Sequence, residues 1–401
     1  MQGRLRPPDR PPGTTILEAA DALRALEATT DRPILLGYHP VARLNPFQAL
    51  LYREAWDAGI APIPIVAEEA IEELGGLVPL GVPVVLHLHW LHHPRPDAER
   101  SDVAEADADA FLARIDRFLG DGGRLVWTVH NILPHVAGLD RTAARVHQAI
   151  ADRASVVHVL AAETAAYVAP TYRLPAERIL HVPHPSYAGA YPVVAGRAQA
   201  RHELGFQPDE LVFLVSGAIQ PYKGIGDLLD AWESLPVSPL RRLVIVGSPA
   251  DDLATAAVLE RATLHPTVSL HARKLPPELL ALFLEAADVA VLPYVRSLNS
   301  GVLMLALTFG LPVIVPSPGP LADAVEPSYA RTYDRSDPES LRRALLQAGD
   351  LLAPAVRAAA RAAAAARDPV LISRAFARGL RERLDGGDGT DRVGLDDRGA
   401  S

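Results

Sequence analysis

The chain has 401 residues, 49% of them apolar and 22% charged, carries a formal net charge of −9 and contains no cysteine. This length exceeds one ordinary hydrophobic core and suits two globular domains. The acidic balance excludes a general nucleic-acid binder, and the lack of cysteine excludes disulfides, thiolate metal sites and a cysteine nucleophile.

Residues 1–13 are rich in Pro and Arg and are expected to form a disordered arm. From Pro33 an alternation begins. PILLGYH, PVVLHLHW, RLVWTVHN, SVVHVLA and RILHVPH are short apolar runs. Between them lie helical patterns: PFQALLYREAWDAGI, the amphipathic stretch from Ser101 to Leu119, ARVHQAIADRA and AAETAAYVAPTY. Strand and helix in alternation predict a parallel sheet covered on both faces. Five of these runs carry histidine at or near their ends: His39, His89, His130, His158 and His184. Carboxyl ends of parallel strands share one edge, so these side chains are expected to converge on a polar crevice. A zinc site from His87, His89, His92 and His93 is disfavoured, because HLHWLHH has neither helical ligand spacing nor a nearby carboxylate.

After Pro185 the irregular stretch YAGAYPVVAG reads as an interdomain linker, and the alternation then restarts. In LVFLVSGAIQPYKGIGDLLDAWESL, a buried strand ends at Ser216–Gly217, a turn carries Lys223 and Gly224, and an amphipathic helix follows. A lysine at the carboxyl edge of a parallel sheet, near a helix amino end, suits an anionic group; a solvated lysine beside a glycine turn is the plainer alternative. RRLVIVGSP, VSLHARKL, DVAVLPY and LPVIVPS continue the strands. Asn299–Ser300–Gly301 opens a buried helix from Val302 to Phe309, with Ser300 as its cap or its amino end as a phosphate seat. The domains are expected at 14–188 and 189–369, followed by a helix at 370–385 and a disordered tail at 386–401.

Three segments of the second half, GAIQPYKG, HARKLPPELLALFLEAADVAVLPY and GVLMLALTFGLPVIV, resemble the carboxyl domain of GT-B glycosyltransferases, most closely glycosyltransferase family four. In the first half WTVHN and ILHVPHP resemble the family's strand ends. The resemblance implies an α/β fold with two Rossmann-like domains facing a central cleft. A nucleotide-sugar donor would lie mainly on the second domain and the acceptor on the first. The 370–385 helix would cross back to the first domain.

The same resemblance implies site residues. Lys223 would bind the donor diphosphate and offset the charge on the departing nucleotide. Gly217, Gly224, Arg296, Ser297, Asn299, Ser300 and Gly301 would surround the donor, and His130 would contact the donor sugar. His39, Asn45 and His89 would face the acceptor, the first two by position alone. No cofactor or metal is implied, and Asp107–Ala108–Asp109 reads as a solvated helix face rather than a metal-binding pair.

The chain also departs from the family pattern. Ala218 stands where an arginine is usual, and Ser297 and Leu305 stand where two glutamates are usual. Stereochemistry is therefore open: a retaining transfer needs no strong base, whereas an inverting one does, for which His39, His89 and His130 are candidates. The expected activity is metal-independent transfer of a sugar from a UDP- or GDP-sugar to a hydroxyl, with a lipid-linked saccharide as one acceptor. The alternatives are a non-catalytic partner subunit and a sugar-nucleotide epimerase. A Rossmann dehydrogenase is disfavoured further, because no Gly-x-Gly-x-x-Gly follows any strand. No apolar run is long enough to span a bilayer, so a cytoplasmic protein is expected, with peripheral membrane contact if the acceptor is lipid-linked.

Overall fold

A computed structural model describes residues 14–91, 95, 101–134 and 139–386. The arm at 1–13, His92, His93 and the tail beyond 386 lie outside the described residues. The chain divides into two compact units. Among the described residues one holds those up to Arg43, Leu51–Val182 and 373–386; the other holds Leu44–Leu50 and Pro183–Ile372. Residues 44–50 group with the second unit because Phe47 packs edge-on against His184 at 4.9 Å and Asn45 meets Tyr187.

The first unit has six parallel strands: β1 (Ile34–His39), β2 (Ile60–Pro64), β3 (Val84–Leu88), β4 (Arg124–Val129), β5 (Val156–Val159) and β6 (Ile179–His181). Their order is β2-β1-β3-β4-β5-β6. β3 is buried throughout and β4 at all but its first residue, as sheets covered on both faces require. β2 is unannounced in the sequence, since IAPIP has two prolines; it is an edge strand, where proline is tolerated. The helix expected over PFQALLYREAWDAGI is short. It runs from Phe47 to Leu51, and a single-turn 3₁₀ helix then ends at Gly59, whose φ of +71° turns the chain into β2. The acidic helix Ser101–Gly120 buries Phe111, Ile115 and Phe118.

The second unit has six parallel strands: β7 (Leu211–Ser216), β8 (Arg241–Val246), β9 (Val268–His271), β10 (Val289–Val291), β11 (Val313–Ser317) and β12 (Ala330–Asp334). Read from its far edge the order is β9-β8-β7-β10-β11-β12, the doubly wound arrangement that reverses between its first and fourth strands, here β7 and β10. Residues of β7 alternate between two cores: Val212 and Leu214 enter one, and Phe213 and Val215 enter the other. Edge strand β12, ARTYD, again lacks a continuous apolar run and is unannounced in the sequence.

Two buried carboxylates organise the start of this unit. Asp288 pairs with Arg197 at 2.6 Å and Arg201 at 3.1 Å, and accepts from the Val212 amide at 2.9 Å. Glu285 accepts from the amides of Val194, Ala195 and Gly196 at 2.6–3.0 Å and so fixes the irregular stretch before β7. The final helix spans Pro369–Gly386, and its residues from Ser373 belong to the first unit. There Ser373 donates to the Leu51 carbonyl at 2.7 Å and accepts from the Glu54 amide at 2.9 Å. Phe376 lies against His87, ring centroids 5.4 Å apart and nearly parallel.

Candidate functional site

In the second unit the loops after β7 and β10 leave the sheet at the point where strand order reverses, the place where such sheets bind ligands. The loop after β7 forms the turn Pro221–Lys223, and Gly224 then starts the helix Ile225–Glu233. Gly224 has φ +66°, and a Cβ there would sit 2.0 Å from the carbonyl oxygen of Pro293 in the loop after β10. The Val295 amide donates to the Tyr222 carbonyl at 2.8 Å. These contacts lock the two loops together.

Lys223 is only 9% exposed. Its Nζ lies 3.8 Å from the Tyr294 ring centroid and 5.1 Å from that of Tyr222. Among the described residues no salt bridge engages it. Burial by itself would pull its pKa down, but Tyr294 and Tyr222 outweigh burial and hold it above the usual lysine value. A buried cation without a carboxylate is costly unless an anion is supplied.

The remaining expected donor residues gather around this turn. Gly217 closes β7 near Val302. Ser297 donates to the Asn299 carbonyl at 2.8 Å, which shapes the loop. Ser300 caps the helix Gly301–Thr308 by accepting from the Leu303 amide at 3.1 Å, and its hydroxyl reaches that of Tyr294 at 3.5 Å. Arg296 is exposed on the same loop. Gly301 allows close approach of Tyr187, whose hydroxyl would lie 2.5 Å from a Cβ there.

In the first unit strand order reverses between β1 and β3, and the His89 amide donates to the His39 carbonyl at 2.8 Å. Here the histidines form a buried network. Tyr52 Oη lies 2.6 Å from His87 Nδ1 and 2.7 Å from His89 Nε2. His87 Nε2 lies 2.7 Å from Thr128 Oγ1, which lies 2.9 Å from His158 Nδ1. His158 Nε2 meets the Val182 carbonyl at 2.9 Å, and His89 Nδ1 meets His130 Nε2 at 3.2 Å. Burial, reinforced by neighbouring histidines, holds His87 and His89 well below the usual histidine pKa, and burial holds the Tyr52 phenol well above its own. A narrow cleft is lined by His89, Trp90, Trp127, His130, Asn131 and His147, among others. Trp90 stacks on His130 with centroids 4.2 Å apart. His147 donates from Nδ1 to the Ala143 carbonyl at 2.8 Å, and burial pulls its pKa down to about 4.

The other sequence candidates have local partners. His39 donates from Nδ1 to the Ile65 carbonyl at 3.0 Å. Asn45 belongs to the second unit, where its Oδ1 accepts from the Phe47 amide at 3.1 Å and from Tyr187 at 3.2 Å. His184 also belongs there and donates to the Pro185 carbonyl at 2.7 Å. Asp107 and Asp109 lie on the Ser101–Gly120 helix and pair with Arg95 at 2.6 Å and Arg145 at 2.9 Å. Among the described residues no cluster of three or more His, Asp or Glu side chains is arranged to hold a metal ion.

Tyr52, Thr128 and Tyr294 join the expected residues only in the folded chain. The i, i+2 spacings His87–His89 and Thr128–His130 do carry a signal for the network, because alternate residues of a strand share one face. Nothing local marks Tyr52 or the ring beneath Lys223.

Residues 210–350 match the family described as Glycosyl transferases group 1. The chain is 28% identical over 304 residues to a GDP-mannose:glycolipid 4-beta-D-mannosyltransferase of Xanthomonas campestris pv. campestris, covering 74% of this chain and 77% of that one. It is 29% identical over 255 residues to a D-inositol 3-phosphate glycosyltransferase of Jonesia denitrificans, covering 61% and 52%. Its fold matches sucrose-phosphate synthase from Thermosynechococcus elongatus at a TM-score of 0.64, with 18% identity, covering 88% of this chain and 100% of that one. Anabaena HepE, solved with UDP-glucose, also gives 0.64, with 16% identity and 87% and 99% coverage. Residues 210–350 thus form a group 1 glycosyltransferase domain, and the chain is a sugar-transferring enzyme with the GT-B fold.

Proposed function

We propose that the enzyme transfers a hexose from a nucleoside-diphosphate sugar to a hydroxyl of a lipid-carried saccharide, with GDP-mannose as the first donor to test. The observation that carries this reading is the buried Lys223 ammonium, held by tyrosine faces where β7 and β10 diverge. A diphosphate is the anion that completes it, and the cation offsets the charge that builds on the departing nucleotide. The Xanthomonas relative's name supports both GDP-mannose and a glycolipid acceptor.

In this reading Gly217, Gly224, Ser300 and Gly301 line the diphosphate, and Arg296, Ser297 and Asn299 face the donor beside it. His130 meets the reacting sugar, and His39 and His89 stand toward the acceptor. No divalent metal is needed. The cation is supplied by Lys223, and Asp107 and Asp109 are committed to arginines. Among the described residues no helix is long and apolar enough to cross a membrane, so a lipid-carried acceptor would be reached by peripheral contact.

The test is transfer and donor hydrolysis by the purified protein with GDP-mannose, GDP-glucose, UDP-glucose and UDP-galactose, each with and without chelator. Nucleotide release from one donor, undiminished by chelator and lost in Lys223→Met, is the expected result. Equal turnover in the variant removes the lysine from the mechanism, and failure of every nucleotide to bind overturns the donor assignment.

A further inference from the structure

Lys223 and its tyrosine seat stand on two loops, one after β7 and one after β10, and a residue from a third loop joins them. Edge strand β12 ends at Asp334, and the turn beyond it is firmly anchored. The Asp334 carboxylate accepts from the Ser336 amide at 2.8 Å and from the Ser336 hydroxyl at 2.7 Å. The Asp334 amide donates to Ser340 Oγ at 2.9 Å. Just before the turn, Tyr333 is buried in the same core as Ile225 and Leu228 of the helix Ile225–Glu233. Arg335 therefore extends from a pinned backbone, and its guanidinium forks. Nη1 donates to the Pro293 carbonyl at 3.2 Å, in the loop after β10. Nη2 donates to Asp227 at 3.0 Å, in the first turn of the helix that follows Lys223. The same Pro293 carbonyl closes on Gly224, and Arg335 Nη1 would itself lie 3.6 Å from a Cβ there.

We propose that Arg335 is a positioning residue of the donor site: its fork holds the loop of Tyr294 and the helix after Lys223 in register, so that the ammonium stays on the ring face from which it meets a diphosphate. Pro293 is bonded directly to Tyr294, and Asp227 sits in the first turn after Lys223 and Gly224, so each arm of the fork governs one member of the pair. A planar guanidinium can serve two acceptors on different elements at once, which a single ammonium head on a flexible stem does less well. The ion pair adds little to stability, because the Arg335 and Asp227 side chains are 31% and 57% exposed. Its effect falls on placement, where a shift of about 1 Å can cost on the order of 10²-fold in rate. The pairing also offsets the Asp227 charge, which would otherwise oppose an anion arriving beside Lys223. The catalytic consequence rests on the diphosphate reading, but the Lys223–Tyr294 contact is measured without ligand, so the two claims fail separately.

The chain has only two lysines, Lys223 and Lys274, so the first can be followed alone. The methylene protons next to the Lys223 ammonium are shielded by the Tyr294 ring on which it rests. The test is ¹H–¹³C correlation of the full chain labelled with ¹³C-lysine. Lys274→Arg assigns the signals, and Tyr294→Leu gives the Lys223 position without that ring. GDP and UDP affinities by calorimetry and urea midpoints are measured on the same variants. The wild type is expected to show Lys223 upfield of Lys274. Arg335→Met is expected to move Lys223 toward its Tyr294→Leu position and to weaken nucleotide binding about 10-fold or more, with a urea midpoint near wild type. Asp227→Leu is expected to do the same from the other arm, and Asp227→Asn, which keeps an acceptor oxygen, to lose much less. A Lys223 signal that stays in place in both Arg335→Met and Asp227→Leu overturns the proposal, whether or not a nucleotide binds. A signal that moves while nucleotide affinity keeps its wild-type value overturns the role at the donor site. If neither nucleotide binds the wild type, the diphosphate reading falls, and the lysine signal still decides whether Arg335 sets the contact.

Discussion

The Lys223 ammonium rests on the face of Tyr294, 3.8 Å from the ring centroid. A charge held by a ring rather than by a carboxylate can meet an incoming anion without first breaking an ion pair. Lys223→Met is therefore expected to lower kcat/KM roughly 10²–10³-fold, the scale for loss of one group that stabilises developing charge. Tyr294→Leu keeps the cation but removes its seat, and nucleotide affinity by calorimetry should weaken by about 1–2 kcal/mol. Tyr294→Phe keeps the ring face and should stay near wild type; an equal loss there would assign the effect to the hydroxyl.

Asp288 is a carboxylate with three strong partners in a buried site: Arg197, Arg201 and the Val212 amide. Asp288→Asn leaves the Arg201 guanidinium, itself buried, without its counter-charge. The expected loss in urea unfolding is about 3–5 kcal/mol. A loss below about 1 kcal/mol would mean that water enters the site and replaces the pair.

Gly224 and Gly189 both have positive φ, +66° and +76°, but only Gly224 faces a backbone atom. Gly189→Ala should cost about 1–2 kcal/mol, the left-handed penalty alone. Gly224→Ala adds a contact 2.0 Å from the Pro293 carbonyl, so the loops after β7 and β10 must part. Its expected signature is a larger drop in stability together with weaker nucleotide binding, and equal behaviour of the two variants would refute the locking role.

His147 titrates at about 4 in the folded chain, against about 6.5 when unfolded. Below pH 6.5 the unfolded chain takes up a proton that the folded chain refuses. Stability is thus full above about pH 6.5 and falls as pH drops toward 4, by on the order of 3 kcal/mol for this group. His87 and His89, depressed in the same direction, steepen the fall. Urea midpoints compared at neutral pH and near pH 5 should show a shallower decline in His147→Gln. An unchanged slope would mean that His147 is already charged in the folded protein.

Much of this architecture is legible along the chain. Apolar runs such as LVFLV and PVVLHLHW mark the central strands because both of their faces are buried. Ser300 before an apolar helix, and the turn carrying Lys223, mark where loops leave the second sheet. The sugar-transferase reading follows from those segments, and the family match agrees with it. The hidden parts are those made by distance. β2 and β12 are edge strands, so their sequences need no unbroken apolar run. Tyr52 sits in a segment that reads as plain helix, yet its hydroxyl joins two histidines 35 and 37 residues away. Tyr294 reads as the end of a strand motif, and only folding puts its ring under a lysine from another loop.

Phe376 covers His87 and His158, with ring centroids 5.4 and 5.0 Å away, and it arrives with the final helix. Every histidine of the network is translated before that helix leaves the ribosome. Until it docks, water can reach the imidazoles and satisfy either arrangement of their protons. The helix that carries Phe376 therefore acts as a stopper: a chain cut before it would leave His87 and His158 open to water.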